Sequence, residues 1–214
     1  MNRKFMAAAV LLSGISFSAM ADGLWGAKAS LDINVPGKWK VGGNSTKLYK
    51  SGLGFSVGGV YTHYLTDGFF LEPSLSLFYD TYSCDFTIQS DVNSIGVEPR
   101  TYKWGLRLPL VVGYTFDITD DFAISVFTGP EFDYAFAGGY RLKDKTLQKE
   151  IGETLFGAED GMQRRVSCSW KGGIGFPFSD WRIDLEAAAG ITDIIVGPAS
   201  MKENRVSLSI IRYF

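Results

Sequence analysis

The feature that most constrains this chain is a strict alternation of apolar and polar side chains at its C-terminal end. From Val206 to Ile210 every second residue is apolar, and the chain ends on the aromatic residue Phe214. A period of two is typical of a β-strand with one apolar and one polar face. A terminal aromatic residue is typical of a membrane barrel, whose last strand pairs with its first and places that ring at the lipid boundary. The pattern predicts a closed barrel with Phe214 as a membrane assembly signal.

The same alternation recurs in seven earlier segments, separated by clusters of Gly, Asp, Asn or Ser. The eight segments span residues 25–33, 52–65, 69–82, 102–116, 122–136, 164–176, 181–192 and 204–214. The connections between them are alternately long and short, as in an up-and-down barrel whose termini lie on the short-turn side. The predicted fold is all-β: an eight-stranded antiparallel up-and-down transmembrane β-barrel of the outer-membrane type.

The N-terminal segment predicts export. Two basic residues, Arg3 and Lys4, precede an apolar run over residues 5–17 and an Ala19-Met20-Ala21 sequence, which together predict a secretory signal peptide over residues 1–21. Residues 22–214 then form a single barrel domain. No later apolar stretch approaches the roughly 18 residues of a spanning helix, so only strands could carry this domain through a membrane. The weakly acidic charge balance argues against a nucleic-acid partner.

Alternation alone does not say which face points outward, because a secreted lipocalin-type barrel would show the same period with its faces reversed. Trp and Tyr concentrate near strand ends on the apolar face, as in membrane girdles. A charge on the lipid face costs about 2–4 kcal/mol at the midplane, so the charged face is predicted to line a lumen that is only wide enough for side chains. The predicted luminal charge network is Lys28, Asp32, Glu72, Asp80, Lys103, Arg107, Glu131, Asp133, Arg165, Lys171, Arg182, Asp184, Glu186 and Arg205.

Several short segments resemble the PorT-like small outer-membrane β-barrel proteins of the Bacteroidota. They are YKWGLRLPLVVGY at 102–114, Thr128-Gly129-Pro130, LEAAAGITDI at 185–194 and the aromatic terminus. The resemblance implies a closed eight-stranded barrel in the outer membrane. The member that names the family takes part in protein secretion, but no motif here transfers that role, and the family has no shared catalytic residues.

Little in the sequence points to catalysis or to a cofactor. His63 is the single histidine, and with the scattered Cys84 and Cys168 it makes no metal-ligand cluster, so neither a metal nor another cofactor is predicted. His63 could act as a base in a lipid-modifying barrel enzyme, but its place near a short turn on the lipid side favours an interfacial ring. The cysteines could form a disulfide after export or remain two free thiols. Alternation places them on opposite faces of the wall, which is poor geometry for a bond.

Two long loops are candidates for interaction. In the loop 137–163, Leu147, Ile151 and Leu155 recur at helical spacing, which predicts a short amphipathic helix that docks a partner, folds over the barrel mouth, or is only a solvated loop. The first loop carries four lysines that could meet lipopolysaccharide phosphates or simply keep the loop soluble. They are Lys38, Lys40, Lys47 and Lys50.

The sequence therefore favours a non-enzymatic outer-membrane barrel with a side-chain-filled lumen that binds a partner through its extracellular loops. The expected partners are membrane lipids including lipopolysaccharide, the barrel assembly machinery, and a protein or surface ligand of unknown identity. A narrow channel and a secretion-associated protein are the alternatives, and a lipid-modifying enzyme is a third. Planar-bilayer conductance discriminates the channel from the binding protein.

A substitution tests the facing of the strands. Leu108→Arg, or deletion of Phe214, should prevent formation of a heat-modifiable barrel, because the first places a charge in lipid and the second removes the terminal assembly signal. Lys149→Ala in the long loop should leave folding unchanged. Electrophoresis of heated and unheated samples refolded in lipid micelles measures this, and normal folding of Leu108→Arg would reverse the assigned faces.

Overall fold

The structure is a computed structural model that describes residues 23–47, 49–66, 68–84, 86–90, 93–119, 122–143, 150–156 and 163–214. Its strands, in chain order, are β1 (Gly23–Pro36), β2 (Trp39–Val41), β3 (Asn44–Thr46), β4 (Tyr49–Lys50), β5 (Gly52–Thr66), β6 (Phe69–Cys84), β7 (Phe86–Ser90), β8 (Asn93–Thr119), β9 (Phe122–Lys143), β10 (Glu150–Thr154), β11 (Val166–Phe178), β12 (Trp181–Gly190) and β13 (Glu203–Tyr213). The predicted signal peptide lies outside the described residues.

Eight long strands close into one antiparallel barrel. The order around the wall is β1-β5-β6-β8-β9-β11-β12-β13, and β13 pairs back onto β1 from Gly26↔Tyr213 to Pro36↔Glu203. The amide of Phe214 continues this seam by donating to the Trp25 carbonyl at 3.0 Å. Closure gives every wall strand two neighbours, so no strand edge is left unpaired where the wall would meet lipid. The predicted eight-stranded barrel is confirmed.

The two faces of the wall differ as a membrane requires. Apolar residues of the wall strands point outward and are exposed: Leu31 is 68%, Leu53 71% and Leu208 54% accessible. Their sequence neighbours Asp32 and Ser209 are buried, at 2% and 1%. A wall that exposes leucine and buries aspartate is stable when lipid surrounds it, and this excludes the reversed facing of a lipocalin-type barrel. No helix in the described ranges is long and apolar enough to span a bilayer.

The connections differ in length at the two ends of the barrel. Short connections join β5 to β6, β8 to β9 and β11 to β12. The first residues of β1 and the last residues of β13 lie at the same end of the barrel as these short connections. Long connections stand at the other end. In outer-membrane barrels the short turns are periplasmic and the long loops extracellular, which defines the two ends of this molecule.

The extracellular connections contain more strand than the sequence predicted. In the two long connections after residues 82 and 136, which the sequence pattern leaves as loops, residues 83–84, 93–99 and 137–143 instead extend the wall strands β6, β8 and β9. In the same connections β7 pairs with β8, and β10 pairs with β9. The predicted helix through Ile151 is wrong, because Ile151 lies in β10 opposite Leu142. An extended β9 needs a partner for its backbone beyond the barrel rim, and this requirement overrides a weak helical period. Leu147 lies outside the described residues.

Leu155, the third residue of the predicted interaction surface, is not available to a partner. It is 3% exposed and packs with Ala135 and Phe156 under the extracellular rim. Its amide donates to the Gly138 carbonyl at 3.0 Å, which fastens the loop to β9. Of the two cysteines, Cys168 is a half-buried free thiol, and the side chain of Cys84 lies outside the described part of the structure.

Candidate functional site

The lumen is filled by charged side chains that the strand alternation directs inward. Thirteen of the fourteen predicted charges lie there, and all are buried except Asp133, whose side chain is 17% exposed. They are Lys28, Asp32, Glu72, Asp80, Lys103, Arg107, Glu131, Asp133, Lys171, Arg182, Asp184, Glu186 and Arg205. Because a buried charge is costly without a partner, the contacts among these side chains determine what the lumen can do.

Arg107 on β8 is the centre of the network. Its guanidinium donates to Asp32 at 2.9 Å, to Asp80 at 3.0 Å and to Asp133 at 3.1 Å. Its planar face lies 4.5 Å from the ring centroid of Phe78. The guanidinium has five N–H donors in a fixed plane, so one arginine can hold three carboxylates that come from three different strands.

A chain of alternating charges crosses the lumen next to Arg107. Lys28 binds Glu186 at 2.6 Å, and Lys171 binds the other oxygen of Glu186 at 2.8 Å. Lys171 also lies 3.7 Å from Glu131, which accepts a hydrogen bond from Arg205. These residues belong to β1, β9, β11, β12 and β13, so the ion pairs join strands that lie up to three positions apart around the wall.

A second cluster lies towards the periplasmic end. Arg182 donates to both oxygens of Glu72, at 2.6 and 2.8 Å, and to both oxygens of Asp184, at 2.8 and 3.0 Å. Thr62 donates to Glu72 at 2.6 Å. The guanidinium of Arg182 also lies over three rings, Phe70, Phe127 and Tyr213, at 5.6 to 5.8 Å from their centroids.

Arg165 was predicted in the lumen but lies at the rim, and Glu203 lies in the lumen but was not predicted there. Arg165 is exposed, because β11 begins only at Val166; its side chain donates to the Phe136 and Phe156 carbonyls at the rim. Glu203 binds Lys103 at 2.5 Å. The sequence argument assigned Glu203 to a loop, but its spacing of two from Arg205 continues the inward face and was sufficient to place it.

Apolar residues close the lumen at both ends. Phe70, Val111 and Phe127 form a buried layer on the periplasmic side. At the extracellular mouth Tyr82 and Gln163 hydrogen-bond each other, and Ile194, Ile195 and Met201 form a second buried layer. Two internal cavities between these layers have volumes of about 10 Å³ each, comparable to one water molecule. The described lumen is a plug of ion pairs.

The extracellular rim carries a basic hairpin. Strands β2 and β3 form it around Gly42 and Gly43, whose φ angles of 55° and 86° favour glycine. Lys40 and Ser200 exchange two backbone hydrogen bonds of 3.0 Å, and Trp39 and Tyr49 pack on the apolar layer at the mouth. The lysines of the first loop, Lys38, Lys40, Lys47 and Lys50, are all exposed. The hairpin is therefore held against the barrel while its charges face solvent.

His63 lies on the outer wall near the periplasmic end. Its ring is stacked on Tyr61 with centroids 6.4 Å apart and an interplanar angle of 11°. Its buried Nδ1 has no hydrogen-bond partner among the described residues, whereas a catalytic histidine is normally oriented by one. The described residues contain no group of three His, Cys, Asp or Glu side chains that could hold a metal.

The network predicts a large difference between buried and exposed arginines. Arg107→Met should lower the free energy of unfolding by about 3–5 kcal/mol, because Asp32 and Asp80 would remain buried without the arginine that pairs with them, whereas Asp133 keeps Arg205 at 3.5 Å. Arg212→Ala should cost at most about 1 kcal/mol, because its pair with Asp180 has side chains 44% and 57% exposed. Urea unfolding in lipid vesicles measures both, and equal stability of Arg107→Met and wild type would show that the network does not stabilise the barrel.

Solved outer-membrane barrels resemble this chain at low identity. Ail of Yersinia pestis is 12% identical, with 90% of this chain and 99% of Ail aligned and a TM-score of 0.45. OprG of Pseudomonas aeruginosa is 11% identical over 91% of this chain and 97% of OprG, with a TM-score of 0.47. Neisserial surface protein A is 10% identical over 89% and 97%, with a TM-score of 0.46. No curated protein matches the sequence significantly.

The family of this protein is shown by a match between its sequence and a family model. Residues 7–210 match the profile of the outer membrane protein beta-barrel domain. This match spans nearly the whole chain and agrees with the closed wall, its apolar outer face and its unequal connections. The protein belongs to the outer membrane protein beta-barrel domain family and is a protein of the outer membrane.

Proposed function

We propose that this protein is a non-enzymatic anchor in the outer membrane that binds a polyanionic ligand at the cell surface through its basic hairpin. The observation that carries the proposal is the hairpin β2–β3, which is fastened to the barrel mouth and has the exposed lysine Lys40 on it and the exposed lysines Lys38 and Lys47 at its two ends. The PorT-like resemblance and any role in secretion stay predictions.

The filled lumen favours a function outside the barrel. A pore needs a continuous water-filled path, whereas the described lumen holds paired charges between two apolar layers. His63 lies on the periplasmic part of the wall, and its Nδ1 has no hydrogen-bond partner among the described residues, so it gives little support to catalysis. A closed barrel with long extracellular connections is well suited to hold loops that bind a ligand, and we favour this function over conduction and catalysis.

The attachment of the hairpin lowers the entropic cost of binding. Besides the Lys40–Ser200 pair, the amide of Gly37 donates to the Lys202 carbonyl at 2.8 Å. The hairpin is thus bonded to the loop before β13 at two points. A loop that is ordered before binding loses less conformational freedom when a ligand arrives.

The charge pattern defines the class of ligand. The first loop, residues 35–50, contains four lysines and no acidic residue. Ammonium groups are compact point charges that bind phosphate, sulfate or carboxylate without demanding one fixed geometry. Lys40 on the short hairpin, with Lys38 and Lys47 at its two ends, suits a repeating polyanion, such as an acidic polysaccharide or an acidic peptide segment. Such binding weakens steeply with salt.

A triple substitution tests the hairpin. The variant Lys38→Gln/Lys40→Gln/Lys47→Gln should bind immobilised dextran sulfate at least about tenfold more weakly than wild type at low salt, because three ammonium contacts are lost. The matched variant with arginine at the same positions keeps the charges and should bind like wild type. Biolayer interferometry with the detergent-solubilised barrel gives the affinities, and neutral dextran is the ligand control. Undiminished binding by the glutamine variant would exclude the hairpin as the site.

Planar-bilayer recording separates the proposed binding protein from a narrow channel. The purified barrel should produce no reproducible single-channel steps in planar-bilayer recordings, because the described lumen offers no continuous path for ions. Arg165→Gln, which changes a charge at the rim but not in the lumen, should be equally silent. Steps of constant amplitude in the wild type would favour the narrow channel.

A further inference from the structure

We propose that the polyanion-binding surface continues from the basic hairpin across the barrel mouth to Lys202 and Arg164, and that it selects an acidic polysaccharide long enough to span the mouth. This inference rests on the function proposed for the hairpin. The surface is the outer face of a cap of extracellular backbone, which consists of residues 37–40, 163–164, 194–195 and 200–202.

Backbone hydrogen bonds join the four segments of the cap into one layer. Lys40 and Ser200 exchange two bonds of 3.0 Å, and the amide of Ile194 donates to the Met201 carbonyl at 2.9 Å. The amide of Arg164 donates to the Ile194 carbonyl at 2.8 Å. Each segment is therefore bonded to the next, in the order 37–40, 200–202, 194–195 and 163–164 across the mouth.

The underside of the cap is buried against the barrel. Ile194, Ile195 and Met201 are buried and form the apolar layer at the mouth, and Trp39 packs against that layer. Gln163 is buried as well. One face of the cap thus lies on the filled lumen, and its other face points to the cell exterior.

Four cations lie on the outer face of the cap. In three of the four segments, the residue beside a buried or half-buried side chain is an exposed cation, and these cations are Lys38, Lys40, Arg164 and Lys202. Neighbouring residues of an extended chain point to opposite faces, so the cations point away from the buried side chains. No described residue forms a hydrogen bond or an ion pair with their side chains.

The nearest acidic residues do not neutralise these cations. The four segments of the cap contain no acidic residue. Asp193, beside the cap, is half-buried and accepts a hydrogen bond from the Ser200 hydroxyl at 2.5 Å. Glu203 points into the lumen and binds Lys103. The outward charges of the four segments are therefore all positive, and a polyanion that neutralises them relieves their mutual repulsion.

The spacing of the cations favours a long ligand. Hydrogen-bonded neighbouring segments lie about 4.8 Å apart, so the backbones of Lys40 and Arg164, three segments apart, are separated by about 14 Å. One phosphate or sulfate group cannot contact both ends of this row. A polymer with an acidic group on each repeat can contact both, and every contact after the first is intramolecular, which raises the affinity.

The backbone of the cap favours a polysaccharide over an acidic peptide. An extended peptide binds most readily by pairing with an open strand edge. The two inner segments, 194–195 and 200–202, are hydrogen-bonded on both sides, and the amide of Gln163 donates to the Leu155 carbonyl. The cap therefore recognises its ligand through side-chain charges, which an acidic polysaccharide matches along its whole length.

Biolayer interferometry of the detergent-solubilised barrel on immobilised dextran sulfate tests the cap. At low salt, Arg164→Gln/Lys202→Gln should bind at least about tenfold more weakly than wild type, because two contacts with the polymer are lost. The matched variant Arg164→Lys/Lys202→Arg keeps both charges and should bind like wild type. Arg212→Gln, which removes an exposed charge at the periplasmic end, should also bind like wild type. Heat-modifiability confirms that each variant folds.

The outcomes separate this inference from the function on which it rests. If wild type does not bind dextran sulfate, or if the glutamine variant of the hairpin binds undiminished, the proposed function fails and the extended surface fails with it. If the hairpin variant binds weakly but Arg164→Gln/Lys202→Gln binds like wild type, the site is confined to the hairpin and only the extension is overturned. Complete displacement by millimolar glucose 6-sulfate would also overturn the extension, because a single sulfate cannot span the cap. Equal affinity for polyglutamate of similar length would overturn the choice of a polysaccharide.

Discussion

The structure depends on the pairing of charges in a lumen that has little room for water. In the described part of the chain, six luminal cations face eight carboxylates, and three of the cations are arginines. A lysine offers one compact charge, but each guanidinium distributes its donors over several acids, as Arg107 and Arg182 do. Because these positions hold arginine, six cations are enough to bind eight carboxylates. The pair between Arg182 on β12 and Glu72 on β6 also connects opposite sides of the barrel.

This filling determines where function can lie. The apolar layers around Phe127 and Met201 separate the ion pairs from both membrane surfaces, which also lowers the local dielectric and strengthens the pairs. The extracellular segments are fixed to the barrel by backbone hydrogen bonds and a shared apolar layer, and for this reason the hairpin β2–β3 can hold a defined surface without a core of its own.

The sequence predicts the barrel well because its signal is physical and repeated: lipid demands apolar residues on one face of every strand, and the lumen accepts the rest. The same rule places Arg107 and Asp184 correctly. It fails where strands leave the membrane. A strand beyond the rim has no lipid on one face, so it does not need alternating apolar and polar residues. For this reason the sequence pattern predicted loops where β8 and β9 extend past the rim. The prediction that Arg165 lies in the lumen is wrong for the same reason, because Arg165 precedes the first residue of β11. Contacts between strands distant in sequence, such as Lys28 with Glu186, lie beyond any local pattern.

The interruption of the ladder at Ser51 separates residues that lie close together in the first loop of the sequence. An extra residue shifts the register between β4 and β5, so Lys50 and Arg100 share a rung above the aromatic side chains while the wall below opens. The loop sequence alone assigns Lys50 to the same soluble cluster as Lys40. The structure separates them: Lys40 pairs with Ser200 at the mouth, whereas Lys50 is part of the wall. The lysines of one basic loop thus lie in two parts of the structure, with Lys40 in the hairpin at the mouth and Lys50 in a strand of the wall.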